Sequence, residues 1–292
     1  MTSDAAFRFS GPSDLHLHSN HSDGTESPAE VVRQAHAHGV RTFALTDHDR
    51  TTGWGEAAAA AAALRMTFLP GMEFSAKHEW RSVHVLGYLF DPTDPALTAE
   101  TARIRDDRVG RAERIVRNIS RDYELVWEDV LAHTTADATV GRPHIADALI
   151  TRGFVRDRTE AFESILHPRS GYYEPHYAPD PLTAVRLITR AGGVAIIAHP
   201  ATAGRDRMLP VSYLERLIAE GLAGFEIDHR ENTAAGKRTL RDLAVRHDLI
   251  VTGSSDYHGL TGKPNRPGEN TTTDEMVSRL IDRATGIAPQ YP

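Results

Sequence analysis

The sequence predicts an α/β protein whose strands gather into one sheet, either closed as a barrel or open and doubly wound. Two observations predict it. Short apolar runs alternate with helix-like segments from Ser13 to Phe90, and again from Pro181 to the C-terminus. Between them, residues of about 93 to 180 read as several helices without a good strand, an insertion into the alternating pattern. The length, 292 residues, suits one large domain or a domain plus an insertion.

Strand one is expected over about Ser13–His18. Ser27 then reads as an N-cap, with Pro28 at the first helical position and Glu30 able to close a capping box. That helix runs to about His38, and Gly39 stops it. Thr42–Thr46 is a second strand, Gly53–Leu64 a helix, Met66–Pro70 a third strand and Ser82–Phe90 a fourth. In the insertion, Arg103, Arg105, Arg108, Arg111, Arg114, Arg117 and Arg121 crowd one helix. Their acidic neighbours Asp106, Asp107 and Glu113 favour a solvated face, so no single arginine of this set is assigned a role. Gly141-Arg-Pro-His144 opens a further helix. The alternation resumes with helices over Pro181–Ala191, Val211–Glu220 and Ala234–His247, strands over Gly193–Ala198, Gly224–Ile227 and Leu249–Gly253, and a last helix from about Thr273.

The chemistry sits at the strand ends. Asp14, His16 and His18 alternate with Leu15 and Leu17, and alternate side chains of a strand share a face. One carboxylate and two imidazoles on one polar face suit a divalent metal. The alternative for this stretch alone is a pair of exposed histidines on an edge strand. Asp23 follows at the turn, His48 ends strand two, Glu73 follows strand three, His84 lies on strand four, His199 ends strand five, and Asp256 and His258 follow strand seven. In a parallel α/β barrel, residues at the carboxyl ends of strands gather on one face, where active sites are built. Independent polar groups have no reason to converge there.

Composition narrows the chemistry. The chain is 25% charged and 40% hydrophobic, with a formal net charge of -7, which does not favour non-specific binding to duplex nucleic acid. It has no cysteine, so no disulfide framework, thiolate metal site or cysteine nucleophile is available. Any metal must be held by His, Asp and Glu, a donor set that suits Mn, Fe or Zn. No apolar run reads as a signal peptide or a membrane span, and a soluble cytoplasmic protein is expected, with no membrane contact and no obligate protein partner.

Taken together, Asp-Leu-His-Leu-His with Ser-Asp-Gly, Thr-Asp-His, Gly-Met-Glu, His84, Ala-His-Pro and Ser-Asp-Tyr-His resemble, in order, the motifs of the PHP (polymerase and histidinol phosphatase) superfamily. The resemblance covers nearly the whole chain. It implies a distorted (β/α)7 TIM-like barrel formed by residues 1–92 and 181–292, with 93–180 as a helical lid. It also implies two or three divalent metal ions, manganese first, with iron, zinc or magnesium as alternatives. His16, His18, Glu73 and Asp256 would hold the first; Glu73, His84 and His199 the second, with Glu73 bridging; Asp23, His48 and His258 the third. Glu73, Asp256, His258 and His48 are the residues expected to serve catalysis as well. Many relatives carry His where this chain has Asp23, a departure that favours a harder cation in the third site. Asp14 is expected to orient a ligand imidazole from behind. The histidines at 21, 36, 38, 78, 133, 167, 176 and 247 read as surface residues, while His229 follows strand six and either faces the pocket or does not.

A carboxylate-bridged metal pair activates water and stabilises both attacking and leaving oxygens, so phosphate esters are the expected substrates. The Gly-Arg-Pro-His-Ile-Ala insertion resembles the branch of the superfamily acting on nucleotides. Hydrolysis of AMP or of nucleoside 3′,5′-bisphosphates by a metal-bridged hydroxide is the expected reaction. Arg142, His144 and, if it faces the pocket, His229 are the expected substrate contacts. Tyr172 and Tyr173 are available to stack on a base, with core packing the expected role for at least one of them. The alternatives are 5′→3′ exonucleolysis of short single-stranded RNA, hydrolysis of histidinol phosphate, and a non-catalytic metal-binding PHP module.

Overall fold

The structure is a computed structural model and describes residues 11–134, 140–203 and 208–292. In chain order its elements are β1 (Ser13–Leu17), α1 (Pro28–Ala37), β2 (Thr42–Leu45), α2 (Trp54–Leu64), β3 (Thr67–His78), β4 (Arg81–Tyr88), α3 (Pro95–Ile119), α4 (Trp127–Leu131), α5 (Arg142–Thr151), α6 (Arg158–Glu163), α7 (Pro181–Arg190), β5 (Val194–Ile197), α8 (Val211–Ala219), β6 (Gly224–Asp228), α9 (Ala234–Arg246), β7 (Ile250–Gly253) and α10 (Asp274–Arg283). The strands follow one another around a single sheet in the order β1 to β7. The last comes back to the first: His18 N donates to Tyr257 O at 2.8 Å, beside a parallel bridge between Leu17 and Tyr257. The sheet is therefore a nearly closed seven-stranded barrel, not an open doubly wound one.

One strand runs against the rest. β4 is antiparallel to both β3 and β5, while the other neighbouring pairs are parallel. The cause is the connection. Only Glu79 and Trp80 separate the paired residues His78 and Arg81, and a parallel crossover needs a dozen or more residues. The short third strand expected at Met66–Pro70 is in fact twelve residues long and carries Glu73 within it. Gly71 does not end it. A Cβ there would sit 2.9 Å from Thr46 Cγ2 and 3.2 Å from Tyr88 Cδ1, so Gly71 lets the strand pass close to its neighbours.

Local chemistry sets the helix starts. Ser27 Oγ accepts from Glu30 N at 3.3 Å, but the Glu30 carboxylate turns to Arg33 and Gln34, so only half of the expected capping box forms. Asp94 caps α3 by accepting from Ala96 N and Leu97 N, and Pro95 follows at the first helical position. Asp180 and Pro181 open α7 in the same manner.

Leu15 and Leu17 are fully buried on opposite sides of the barrel wall, Leu15 beside Ala44, Leu86 and Ile250, Leu17 beside Val31, Val32 and Tyr257. A separate apolar cluster forms between the C-terminal half of α3 and α4 to α6, built on Ile115, Ile119, Val130, Ile145, Leu149 and Leu166. Burying it fixes the inserted helices as a body with its own core, and their polar face is left for the barrel mouth. Among the described residues, no helix is long and apolar enough to cross a membrane.

Candidate metal centre and active site

The barrel mouth gathers the chain's imidazoles and carboxylates. His16 and His18 are fully buried, and their Nε2 atoms lie 3.0 Å apart. The tautomers are set from behind. His16 Nδ1 lies 3.0 Å from Glu226 Oε1, and His258 Nδ1 donates to the Asp256 carbonyl at 2.8 Å. With Nδ1 held from behind, Nε2 of each ring is the atom turned to the cluster, the orientation that metal-binding histidines use.

Glu73 stands at the centre, with its two oxygens serving different groups. Oε1 is 2.9 Å from His84 Nδ1 and 3.2 Å from His199 Nε2. Oε2 is 3.3 Å from His16 Nε2, 3.1 Å from His18 Nε2 and 3.2 Å from His48 Nδ1. Asp256 Oδ1 lies 3.4 Å from both His16 Nε2 and His18 Nε2. Donor atoms of His16, His18, Glu73 and Asp256 all lie within 4.8 Å of one another, as do those of His18, Asp23, His48 and His258, and those of His48, Glu73 and His84. His199 reaches the last set through Glu73 Oε1.

The donor set fits divalent cations. Burial opposes the charge on Glu73, yet the imidazoles of His84, His48 and His16 outweigh it and hold the carboxyl well below its ordinary range. Burial also opposes a proton on His16, and Glu226, Glu73 and Asp256 outweigh it in turn, holding His16 well above the usual imidazole value. His48 goes the other way, because burial and then the neighbouring His18 and His84 disfavour its proton. Ionised carboxylates buried among imidazoles that cannot all be charged form a site for metal ions, which displace the shared protons. Asp23 Oδ1 is buried and accepts no hydrogen bond although His258 Nε2 is 3.2 Å away, as a ligand atom would be placed.

Several supporting residues carry no signal in a local reading. Glu226, buried on β6, holds His16 through Oε1 and accepts from His199 N at 2.8 Å through Oε2. It takes the part expected of Asp14, which instead accepts from the backbone N–H groups of Ser255 and Gly268. An acid inside the apolar strand Gly-Phe-Glu-Ile was the available clue. Lys263 Nζ donates to Asp256 Oδ2 at 2.6 Å and leaves Oδ1 to face the cluster. Asp47 orders the loop after β1 by accepting from Ser19 N, Ser19 Oγ and Ser22 Oγ. His199 and Asp256 both have left-handed backbones, with φ of 30° and 55°. Strain of this kind persists where the surroundings fix a side chain's aim.

A cavity of about 590 Å³ opens over Asp23, His48, Glu73, His84, His199, Asp256 and His258. Its far wall comes from the inserted segment: Arg108, Arg111, Arg142, Arg158 and Phe162 on helices, and Tyr173 and His176 on the stretch between α6 and α7. Arg108 Nη2 donates to Ser75 Oγ at 2.5 Å, and Arg111 Nε donates to the Glu174 carbonyl at 2.6 Å. The Arg142 guanidinium lies 5.1 Å from the Phe162 ring centre and 5.6 Å from that of Tyr173. Burial, then the guanidiniums of Arg142 and Arg108, push Arg111 down to about 9. Burial and the same three arginines push His176 down to about 2. His176 therefore faces the cavity, contrary to its expected surface position. Such a wall takes up anions.

Two of the three expected substrate contacts lie elsewhere. His144 Nδ1 accepts from Gly141 N at 3.1 Å, so the ring closes the N-terminus of its own helix and borders a different cavity beside Asn20, Thr25 and Asp147. His229 is fully buried, with Nε2 3.7 Å from Asp256 Oδ2, and packs behind His199 and outside the cavity wall. Arg142 does line the cavity. Tyr173 lines it too, whereas Tyr172 packs on the insertion core and donates to Asp122 Oδ2 at 2.7 Å.

Comparisons with known proteins give the family. The PHP domain family matches residues 14–142. A 3′,5′-nucleoside bisphosphate phosphatase from Chromobacterium violaceum is 36% identical over 281 residues, covering 92% of this chain and 95% of the relative. A 5′-3′ exoribonuclease from Haemophilus influenzae is 34% identical over 246 residues, covering 84% of this chain and 89% of the relative. The solved structure of a candidate metal-dependent phosphoesterase from Bifidobacterium adolescentis superposes with a TM-score of 0.91 at 39% identity, covering 94% of this chain and 96% of that one. With sequence identity carried along the whole barrel and the insertion, and with the family's motifs gathered at one mouth, the chain belongs to the PHP family of metal-dependent phosphoesterases.

Proposed function

We propose that this protein is a phosphomonoesterase for nucleotides, acting on AMP or on nucleoside 3′,5′-bisphosphates. The observation that carries the reading is one cavity with two unlike walls. Imidazoles and carboxylates line the barrel side, and Arg108, Arg111 and Arg142 line the other. A substrate with two separated anionic groups, or one phosphate and a polar nucleoside, matches both walls at once.

In this reading His16, His18, Glu73 and Asp256 hold one cation, Glu73, His84 and His199 a second, and Asp23, His48 and His258 a third. Manganese is the preferred ion, and magnesium is tolerated better than zinc beside Asp23 because a short anionic ligand favours a hard cation. When bound, such ions activate water and offset charge on the phosphate oxygens. The chain's own residues do the rest. Glu226 keeps His16 and His199 aimed, Lys263 keeps Asp256 turned, and the arginine wall grips the second phosphate of a bisphosphate substrate. Phe162 and Tyr173 shield the guanidiniums from water, which strengthens their grip on an anion. Residues 1–92 and 181–292 serve as the metal-binding barrel, with 93–180 as its lid.

A phosphate-release screen of the manganese-loaded protein tests this. AMP, nucleoside 3′,5′-bisphosphates, short single-stranded RNA and histidinol phosphate are compared at equal concentration. Release from the nucleotides at the highest kcat/KM is expected. Preference for RNA would make the protein an exoribonuclease, preference for histidinol phosphate would displace the nucleotide reading, and no release from any substrate would leave a metal-binding module without catalysis.

A further inference from the structure

Trp80 is half exposed at the tip of the β3–β4 hairpin and lines the same cavity as the metal-type cluster. It has no part in the core. A large aromatic side chain at a hairpin tip gains nothing from exposure, so its orientation calls for an explanation. Two features brace it. The Arg81 guanidinium lies 4.5 Å from the centre of the Trp80 ring, yet Arg81 does not line the cavity and its side chain is largely buried. The guanidinium therefore packs on the indole without itself lining the cavity. Arg81 Nη1 is in turn held by Glu79 Oε2 at 2.9 Å. Glu79 has a φ of 55°, at the first of the two connecting residues, where hairpins of this kind use glycine. A strained turn residue thus fixes the arginine that supports the ring.

The hairpin also sets the distance. Ser75 pairs with His84, and the strands then run on past Lys77 and Ser82 to the tip. Trp80 stands four residues from His84, so a rise of about 3.3 Å per residue carries it roughly 10–13 Å from that ring. This is beyond a phosphate seated at the cluster and within reach of a base joined to it through a sugar. We infer that Trp80 is the stacking platform for the nucleobase of the substrate, and that it makes the enzyme selective for nucleotides over sugar phosphates while tolerating any base. The tolerance follows from the chemistry: every base has a π-face, and stacking reads no hydrogen-bonding edge.

This inference rests on the nucleotide reading, and one experiment separates the two. Phosphate release is measured for the parent, Trp80→Ala and Trp80→Phe, all loaded with manganese. The substrates are the 3′,5′-bisphosphates of adenosine, guanosine, cytidine and uridine, and the same sugar 3,5-bisphosphate with hydrogen in place of the base. Trp80→Ala should lower the ratio of kcat/KM for each nucleotide to that for the abasic compound by roughly five- to a hundredfold. The loss should appear in KM, be similar for all four bases, and be largely recovered in Trp80→Phe, which keeps an aromatic face. A ratio within twofold of the parent, or an equal loss on the abasic compound, overturns the inference and leaves the nucleotide reading standing. A parent protein that releases phosphate from none of the four nucleotides overturns the reading, and this inference with it.

Discussion

Glu226 and His16 are 210 residues apart in sequence and meet at 3.0 Å in the barrel, carboxylate Oε1 to imidazole Nδ1. The same carboxylate accepts the backbone N–H of His199, so one buried side chain positions residues on two sides of Glu73. Metal-binding histidines depend on such outer partners, which are worth roughly 10–100-fold in affinity or activity. Glu226→Gln should therefore weaken metal binding by about that factor while the barrel still folds. Titration of metal-free protein with manganese measures it, and an affinity equal to the parent's would remove Glu226 from the site.

Glu73 tests the bridge. Its two oxygens face different imidazole groups, Oε1 toward His84 and His199 and Oε2 toward His16, His18 and His48. An amide keeps only one acceptor oxygen, so Glu73→Gln should serve one group and fail the other. At least one equivalent of bound metal and nearly all turnover should be lost. Elemental analysis alongside kcat checks both, and a fully active variant would sink the shared-carboxylate arrangement.

Arg142 tests the opposite wall. A charge-assisted contact to phosphate in a partly dry pocket is worth about 1.5–3 kcal/mol. Arg142→Ala should then lose roughly ten- to more than a hundredfold in kcat/KM on nucleoside 3′,5′-bisphosphates, whose second phosphate meets this wall. The loss should be small on p-nitrophenyl phosphate, whose single phosphate needs only the barrel side. Arg142→Lys should recover part, since a point charge does not reproduce the guanidinium fork. Metal content should match the parent's, and equal small effects on both substrates would show that Arg142 does not hold the substrate.

His176 gives a pH signature. Its pKa falls from an ordinary 6.5 to about 2 in the folded protein, through burial and then Arg108, Arg111 and Arg142. Above the unfolded value both states are neutral and nothing changes. Below it the unfolded chain takes a proton that the folded one refuses, so stability falls with pH by at most about 1.4 kcal/mol per unit. In phosphate-free buffer, the parent's Tm should drop more steeply between pH 7 and 5 than that of His176→Asn. Identical slopes would mean that the arginines do not hold the ring neutral.

The ligand pair in Asp14-Leu-His-Leu-His18 was legible from its strand pattern and both imidazoles reach the mouth, but the strict alternation does not hold: the register shifts between Asp14 and Leu17, and the two leucines pack into different apolar clusters. His48, His199, Asp256 and His258 were legible for a similar reason, since a residue just past a strand end is placed by its own strand, whereas Glu73 and His84 lie within β3 and β4 and reach the mouth from the strands themselves. The exceptions show the limit. His144 sits beside Arg142 in one helical turn, yet its ring caps Gly141 while Arg142 faces the cavity. His229 lies just past the end of its strand and is covered on every side.

The sequence by itself determined the elements, the insertion and the residues that gather at the barrel mouth, because hydrophobic period, caps and turn residues act over a few positions. Only the tertiary structure decided what stands opposite them. The arginines at 105, 108, 111 and 114 follow one repeat along α3, and nothing local separates Arg108 and Arg111, which line the cavity, from the others, which do not. Glu226 is one acid among many until β6 is set between β5 and β7 and the barrel closes past β7 onto β1. A side chain's contacts across a barrel are set by which elements close around it, and that closure is a property of the whole chain.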